Sequence, residues 1–169
     1  MNRLVLPLAA LLAVAAPAVP PVLGPAAAVA ETADDPEAIV RAIYGQWAAP
    51  CCTYFNVIDT HFSPKLAKLY KDVQEGAGDD IEYAIDFDIF LDAQDDDTVT
   101  EVVTSYLEKG DDRAVVAVSY KAFGETREQT YTFVKTKAGW KIDDMGWGPD
   151  RPALRAMLDD LEEQQRKSR

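Results

Sequence analysis

Four β-rich segments follow one another in the second half of the chain, and this succession is the feature that most restricts its fold. The segments are TVTEVVTSYLEK (98–109), RAVVAVSYKAF (113–123), REQTYTFVKT (127–136) and WKIDDMGWG (140–148). Only short turns separate them, and short turns join neighbouring antiparallel strands. The sequence therefore predicts an antiparallel meander of about four strands.

Helical patterns precede and follow these strands. Helices are predicted in DDPEAIVRAIYGQWAAP (34–50), SPKLAKLYKDVQEGAG (63–78) and RPALRAMLDDLEEQQRKSR (151–169). The first two begin with a capping residue, Asp35 or Ser63, followed by a proline, which is typical of helix starts. The segment between them, CCTYFNVIDTHF (51–62), is predicted to be a connector. This order indicates an α+β fold: N-terminal helices packed on a curved antiparallel sheet, a C-terminal helix, and an opposite, concave sheet face on which a pocket can form.

The first 30 residues are typical of a cleaved export signal. Arg3 precedes an apolar run from Leu4 to about Val19, and Ala28-Val29-Ala30 has the small-x-small pattern of a cleavage site. Prolines interrupt the apolar run, which argues against a transmembrane anchor of about 20 residues. We therefore predict a signal peptide over 1–30, a single α+β domain over 31–169, and an exported protein, periplasmic or secreted, with no membrane anchor after cleavage.

The chain is strongly acidic. Its net charge is −12, and that of residues 31–169 is −13, because Arg3 is the only charged residue of the first 30. Such a charge repels phosphate backbones, so nucleic acid is not an expected partner. A protein or a small-molecule ligand is expected instead, and a basic or cationic one suits the charge.

The two cysteines are adjacent, at Cys51 and Cys52. Neighbouring Cα atoms lie about 3.8 Å apart, below the usual disulfide span of about 4.4–6.8 Å, so a vicinal disulfide here would be strained. Two free thiols in a loop are the alternative. A thiol-metal site would need further Cys or His ligands, and His61 is the sole histidine, so no metal or cofactor is expected.

The stretch YAIDFDIFLDAQDDD (83–97) concentrates possible metal ligands. An EF-hand loop requires Gly at its sixth position and Glu at its twelfth. Starting the loop at Asp86 places Leu91 at the sixth position, and starting it at Asp92 places Val103 at the twelfth, so neither register fits. The alternation of apolar and acidic residues instead predicts one buried row and one solvated row, with an irregular calcium loop as the weaker alternative.

Two residues are weak candidates for acid–base catalysis. His61 lies near Asp59 in sequence, and Asp144 is predicted to share a face of the last strand with Trp140 and Ile142. If that face lined a pocket, Asp144 and Trp140, with Tyr131 on the neighbouring strand, would contact a ligand. The favoured alternatives are a structural or surface histidine, and an Asp144 that faces solvent or a helix N-terminus. The sequence has no serine-hydrolase elbow, phosphate-binding glycine loop or zinc-binding histidine pair.

Several motifs occur in an order similar to that of a family of small exported bacterial proteins known as domain of unknown function 3828. FLDAQD (90–95) and WKIDD (140–144) carry most of this resemblance, which spans nearly all of residues 31–169, and the Cys51-Cys52 pair is not part of the pattern. The resemblance implies a cone-like fold similar to nuclear transport factor 2 and cystatin-like proteins. It also implies that FLDAQD bridges helices and sheet, with Gln94 and Asp95 bonded to backbone there. It supplies no catalytic residues.

The leading functional hypothesis is a non-catalytic exported binding or interaction module of unknown ligand. One alternative is a small cone-fold enzyme of the isomerase, dehydratase or hydrolase type that uses Asp144 or His61 as acid or base. Another is an inhibitor or a structural protein of the cell envelope. Convergence of Asp144, His61 and a tyrosine in one cavity would favour the enzyme.

Overall fold

The computed structural model describes residues 35–48, 55–78 and 80–168. The predicted signal peptide and the pair Cys51 and Cys52 lie outside these ranges. The helices are α1 (Pro36–Tyr44), α2 (Phe55–His61), α3 (Pro64–Ala77) and α4 (Leu154–Ser168), with 3-10 turns at Gly45–Trp47 and Ile81–Tyr83. The strands are β1 (Thr100–Lys109), β2 (Arg113–Ala122), β3 (Glu125–Thr136) and β4 (Gly139–Gly146).

The four strands form one antiparallel sheet in the order β1-β2-β3-β4. With helices before the sheet and one after it, this architecture confirms the predicted α+β fold class. The capping residues are confirmed as well: Asp35 accepts a hydrogen bond from the Ala38 amide, and Ser63 accepts one from the Leu66 amide, each at 3.1 Å. The prediction of a connector over 51–62 is wrong for its second part, because α2 occupies 55–61.

Side chains alternate across the sheet, so that one face is buried under the helices. In β2, Ala114, Val116, Val118 and Tyr120 are buried, and the residues between them are half-exposed. The buried row joins apolar residues of α1, α3 and α4 in a single core. The other side of the sheet, here called the outer face, has no helix packed on it in the described part of the chain and stays partly open to solvent.

A network of polar side chains lies inside this core, around the carbonyl oxygen of Phe90. The side-chain amide of Gln129 donates to this oxygen at 2.9 Å, and the hydroxyls of Tyr120 and Tyr44 lie 3.0 Å and 3.1 Å from it. The Tyr131 hydroxyl donates to the Gln129 Oε1 atom at 3.1 Å. The network therefore connects α1, β2 and β3 to the segment that precedes β1, and it satisfies groups that would otherwise be buried without partners.

We predict that Gln129→Leu destabilises the protein by about 3 kcal/mol, because each buried polar group left unpaired costs about 1–3 kcal/mol. Gln129 contacts Phe90, Tyr120 and Tyr131. The matched control is Gln164→Leu, which removes one hydrogen bond at a solvent-facing position of α4 and should change the free energy of unfolding by about 0.5 kcal/mol or less. Urea denaturation measures both. Equal losses in the two variants would contradict the importance of the network.

Candidate functional site

The acidic stretch folds as a tight turn around Asp88. Its Oδ1 atom accepts hydrogen bonds from the amides of Phe90 at 2.7 Å and Leu91 at 3.0 Å, and the Asp88 amide donates to the Ala93 carbonyl at 2.7 Å. Asp92 has a φ of 54°, in the left-handed region that lets the chain fold back. The predicted alternation of buried and solvated rows is therefore wrong from residue 88 onward, because Asp88 and Phe90 are both buried.

Gln94 and Asp95 do not bond backbone in the described structure, contrary to what the family resemblance implies. Both side chains are exposed, and Gln94 donates to the Asp86 carboxylate at 3.4 Å. Asp88 bonds the backbone amides instead, because the turn brings those amides next to its side chain. The bridge between helices and sheet expected for FLDAQD is nevertheless present, since the Phe90 carbonyl lies at the centre of the buried network.

Two arginines hold this turn at the end of the sheet. The Arg127 guanidinium, on β3, donates to the carbonyls of Leu91 at 3.0 Å and Asp92 at 2.6 Å. Arg151, from the segment between β4 and α4, forms an ion pair with the Asp92 carboxylate. Its guanidinium carbon lies 4.9 Å from the ring centroid of Trp147, and the Trp147 indole donates to the Ile89 carbonyl at 3.0 Å. Hydrogen bonds to backbone carbonyls thus fix Arg127, and an ion pair with a cation–π contact fixes Arg151.

A polar crevice of about 430 Å³ opens among these groups. It is lined by Asp92, Tyr120, Glu125, Arg127, Glu128, Gln129, Trp147 and Arg151. Three segments meet there: the turn around Asp88, the turn between β2 and β3, and the segment after β4. We call this region the crevice end of the sheet.

Carboxylates lie at and near the mouth of the crevice: Glu125 and Glu128 line it, and Asp95 and Asp96 follow the turn that reaches it. All four residues are exposed, and their side chains form no hydrogen bond or ion pair within the described ranges. Asp97 lies beside them and accepts from the Phe123 amide at the tip of the β2–β3 turn. The crevice end therefore combines rigid arginine and tryptophan side chains with an acidic rim. This composition suits a cationic group, which would contact carboxylates and aromatic rings together.

Asp144 does not line the crevice. A β-bulge inserts Asp143 between two registered pairs, Ile142 with Phe133 and Asp144 with Thr132. The bulge shifts the alternation by one residue, so Asp144 lies on the opposite side of the sheet from Ile142, and the predicted shared face is wrong. The Asp144 Oδ1 atom accepts from the backbone amide of Arg155, in the first turn of α4, at 2.9 Å. Asp144 therefore caps a helix.

The other predicted site residues are also apart from the crevice. Tyr131 is fully buried in the polar network, and Trp140 is half-buried with the Lys135 ammonium 5.0 Å from its ring centroid. His61 ends α2, where burial and the nearby Lys141 ammonium lower its pKa. No hydrogen bond between described residues joins any two of His61, Asp144 and Tyr131.

Burial raises the pKa of Tyr131 and Tyr44 and raises that of Tyr120 to about 12, so these hydroxyls remain protonated donors at neutral pH.

A second, shallower groove of about 340 Å³ lies on the outer face. Val103, Ser105, Leu107, Ala117 and Thr130 are among its lining residues. Neither this groove nor the crevice is lined by Asp144, Trp140 or Tyr131.

Sequence reasoning missed the two arginines and Asp88. Arg127 was detectable, since period-two alternation in REQTYTF places Arg127, Gln129 and Tyr131 on one face. The position of Arg151 depends on the fold, because 59 residues separate it from Asp92.

Among residues 35–48, 55–78 and 80–168, no group of three or more His, Cys, Asp or Glu side chains is arranged to hold a metal ion. Over the same ranges, no helix combines the length and apolar character needed to cross a membrane.

Comparison with known proteins gives distant similarities of fold alone. No protein-family model and no curated protein matches the sequence, so membership of domain of unknown function 3828 stays a prediction. A chain in the crystal structure of the type VI effector–immunity complex Tae3–Tai3 from Ralstonia pickettii is 17% identical, with a TM-score of 0.44 over 70% of this chain and 99% of that chain. A phospholipid-binding protein from Ralstonia solanacearum is 13% identical, with a TM-score of 0.40 over 78% and 86%. Neither likeness assigns a function.

We predict that Asp88 makes stability depend on pH. Asp88 is 8% exposed, and its Oδ2 atom has no hydrogen-bond partner among the described residues. Burial, with a smaller effect of Asp96, raises the pKa of its carboxyl group. Because the folded state then binds a proton more readily than the unfolded state, Asp88 contributes a gain in stability as the pH falls from 7 through the raised pKa towards about 4. This contribution is absent from Asp88→Asn.

Thermal unfolding of both proteins across this range measures the difference. The stability of Asp88→Asn relative to the wild type should be highest at pH 7, and this difference in stability should shrink as the pH falls. Asp86→Asn removes the same formal charge from an exposed neighbour and corrects for net charge. Asp88→Ala also loses both amide hydrogen bonds and should be about 1–3 kcal/mol less stable than Asp88→Asn at every pH, because neither variant titrates at this position. A difference between Asp88→Asn and wild type that does not vary with pH would contradict the prediction.

Proposed function

We propose that this protein is an exported, non-catalytic binding module that holds a basic protein partner at the crevice end of its sheet. One observation carries the proposal: the crevice is walled by Arg127, Arg151 and Trp147, which stacking and backbone bonds fix in place. Arginine and tryptophan are enriched at the centres of protein interfaces, and rigid side chains lose little entropy on binding.

The charge of the rim identifies the partner chemistry. Asp92 is neutralised by Arg151, whereas the rim carboxylates Asp95, Asp96 and Glu125 form no ion pair in the described structure. A lysine or arginine of a partner would supply the missing counter-charges. The overall charge of −12 attracts such a partner over a longer range and speeds its association.

The contacts of the predicted acid–base residues favour binding over catalysis. Asp144 Oδ1 is engaged by the Arg155 amide, and His61 has no carboxylate partner among the described residues. A general base needs both an accessible lone pair and a group that orients it.

Export and membership of domain of unknown function 3828 form part of the same proposal. Export rests on the N-terminal sequence, and membership rests on the FLDAQD and WKIDD motifs.

Affinity capture from the producing cells, followed by quantitative mass spectrometry, tests the proposal. The bait is the wild-type protein or the triple variant Asp95→Asn, Asp96→Asn and Glu125→Gln. Exposed ion pairs contribute about 0.5 kcal/mol each, so losing three should reduce recovery of the basic partner about tenfold. Recovery from the wild type should also fall when the salt concentration is raised.

A matched control removes three charges elsewhere. Asp111→Asn, Asp112→Asn and Asp159→Asn lie at the opposite end of the sheet and on α4, and all three positions are exposed. This variant should capture the partner as well as the wild type does. Equal recovery by the two triple variants would contradict the location of the site, and capture of no basic protein by the wild type would contradict the function.

A further inference from the structure

The outer face of the sheet has an uncharged centre. Val103, Ser105 and Leu107 of β1 lie beside Ala117 and Ser119 of β2. Thr130, Thr132 and Val134 extend this surface across β3. Val103 and Leu107 are each 64% exposed, more than any other large hydrophobic side chain in the described part of the chain. An apolar surface of this kind, in a chain otherwise rich in charge, marks an interaction surface.

Charges on this face are distributed unequally between its two ends. The Glu101–Lys121 pair and Glu128 lie at the end nearest the β2–β3 turn. At the other end, the Arg113–Glu108 ion pair lies near Lys141, which neighbours Val134. Asp144 lies between the two ends, beside Thr132 of β3, and is engaged as the cap of α4.

Three charged side chains of this face form no ion pair within the described residues: Glu128, Lys141 and Asp144. Asp144 accepts hydrogen bonds from backbone amides, and Lys141 donates one to the Thr60 carbonyl, whereas Glu128 has no side-chain partner among the described residues. One end of the outer face therefore has an unpaired negative charge, and the other end has an unpaired positive charge.

We infer that a second copy of this chain covers the outer face. The two copies are related by a two-fold axis that lies between their facing sheets and is perpendicular to the strands. Such an axis reverses the strand direction of the second copy, so Glu128 of each copy approaches Lys141 of the other. It also places Leu107 of each copy over the small side chains of Ser105 and Ala117 of the other. The contact is self-complementary, as a closed dimer requires, and two stacked sheets with apolar facing sides are a stable packing arrangement.

The size of the face sets the expected affinity. Four strands about 4.8 Å apart and about eight residues long give a footprint on the order of 500 Å². Stable interfaces bury about 800 Å² per partner, so this dimer is on the small side and should dissociate in the micromolar range. The inference requires no partner at the crevice, although Glu128 borders both surfaces.

Sedimentation equilibrium of the purified protein between about 1 and 500 µM tests the inference. The wild type should change from monomer to dimer over this range. Val103→Asp and Leu107→Asp each bury a charge in the contact and should raise the dissociation constant at least 100-fold. Ala156→Asp, at an exposed position of α4, adds the same charge away from the outer face and should leave the dissociation constant unchanged.

Charge exchange tests the orientation. Glu128→Lys alone and Lys141→Glu alone should each weaken the dimer about tenfold, and the double variant should recover most of the loss. Circular dichroism of every variant confirms folding, and Val103→Ser offers a milder change should Val103→Asp not fold. A wild type that stays monomeric to 500 µM, a dimer unaffected by Val103→Asp, Val103→Ser and Leu107→Asp, or a double variant without recovery would each overturn the inference. Val103 and Leu107 do not line the crevice, so the outcomes of their variants are independent of capture of a basic partner there.

Discussion

The hydrogen bonds received by one carbonyl oxygen, that of Phe90, hold the parts of this fold together. A carbonyl oxygen accepts two strong hydrogen bonds, and Gln129 and Tyr120 supply them from β3 and β2. Tyr44 of α1 lies within reach of the same oxygen and also of the Tyr131 hydroxyl, at 2.9 Å. The network therefore fixes a helix, two strands and an irregular segment at a point where apolar packing alone would allow each of them to shift.

This anchor determines where the functional groups lie. Once Phe90 is held inside the core, the residues after it must return to the surface, and the left-handed conformation of Asp92 accomplishes this within two residues. The carbonyls of Leu91 and Asp92 then face the Arg127 guanidinium, and the Asp92 carboxylate faces Arg151. The acidic residues that follow are carried outward to the rim of the crevice. The acidic side chains of residues 83–97, which look like possible metal ligands in the sequence, therefore lie partly in a structural turn and partly at a solvent-exposed rim.

The parts of the fold that depend on local sequence could be predicted, and those that depend on distant partners could not. Asp35-Pro36 and Ser63-Pro64 start helices through bonds within one turn, and the strands follow from alternation and short turns. Asp143, by contrast, is inserted by a bulge whose position depends on pairing with β3. The bulge moves Asp144 off the face that it was predicted to share with Trp140 and Ile142, and Asp144 caps α4, in line with the favoured prediction of a residue that faces solvent or a helix N-terminus. Arg151 and Asp92 meet only because β4 ends beside the turn around Asp88, which no local pattern indicates.

The two proposed surfaces are electrostatically coupled. A two-fold axis across the strands brings the Lys141 end of one copy towards the Glu128 side of the other copy's crevice. In the dimer, Lys141 of the other copy competes with a basic partner for Glu128, so the dimer should bind such a partner at this carboxylate less tightly than the monomer does. Linkage requires the reverse effect to be equal: a basic partner bound to Glu128 at the crevice weakens the dimer by the same factor.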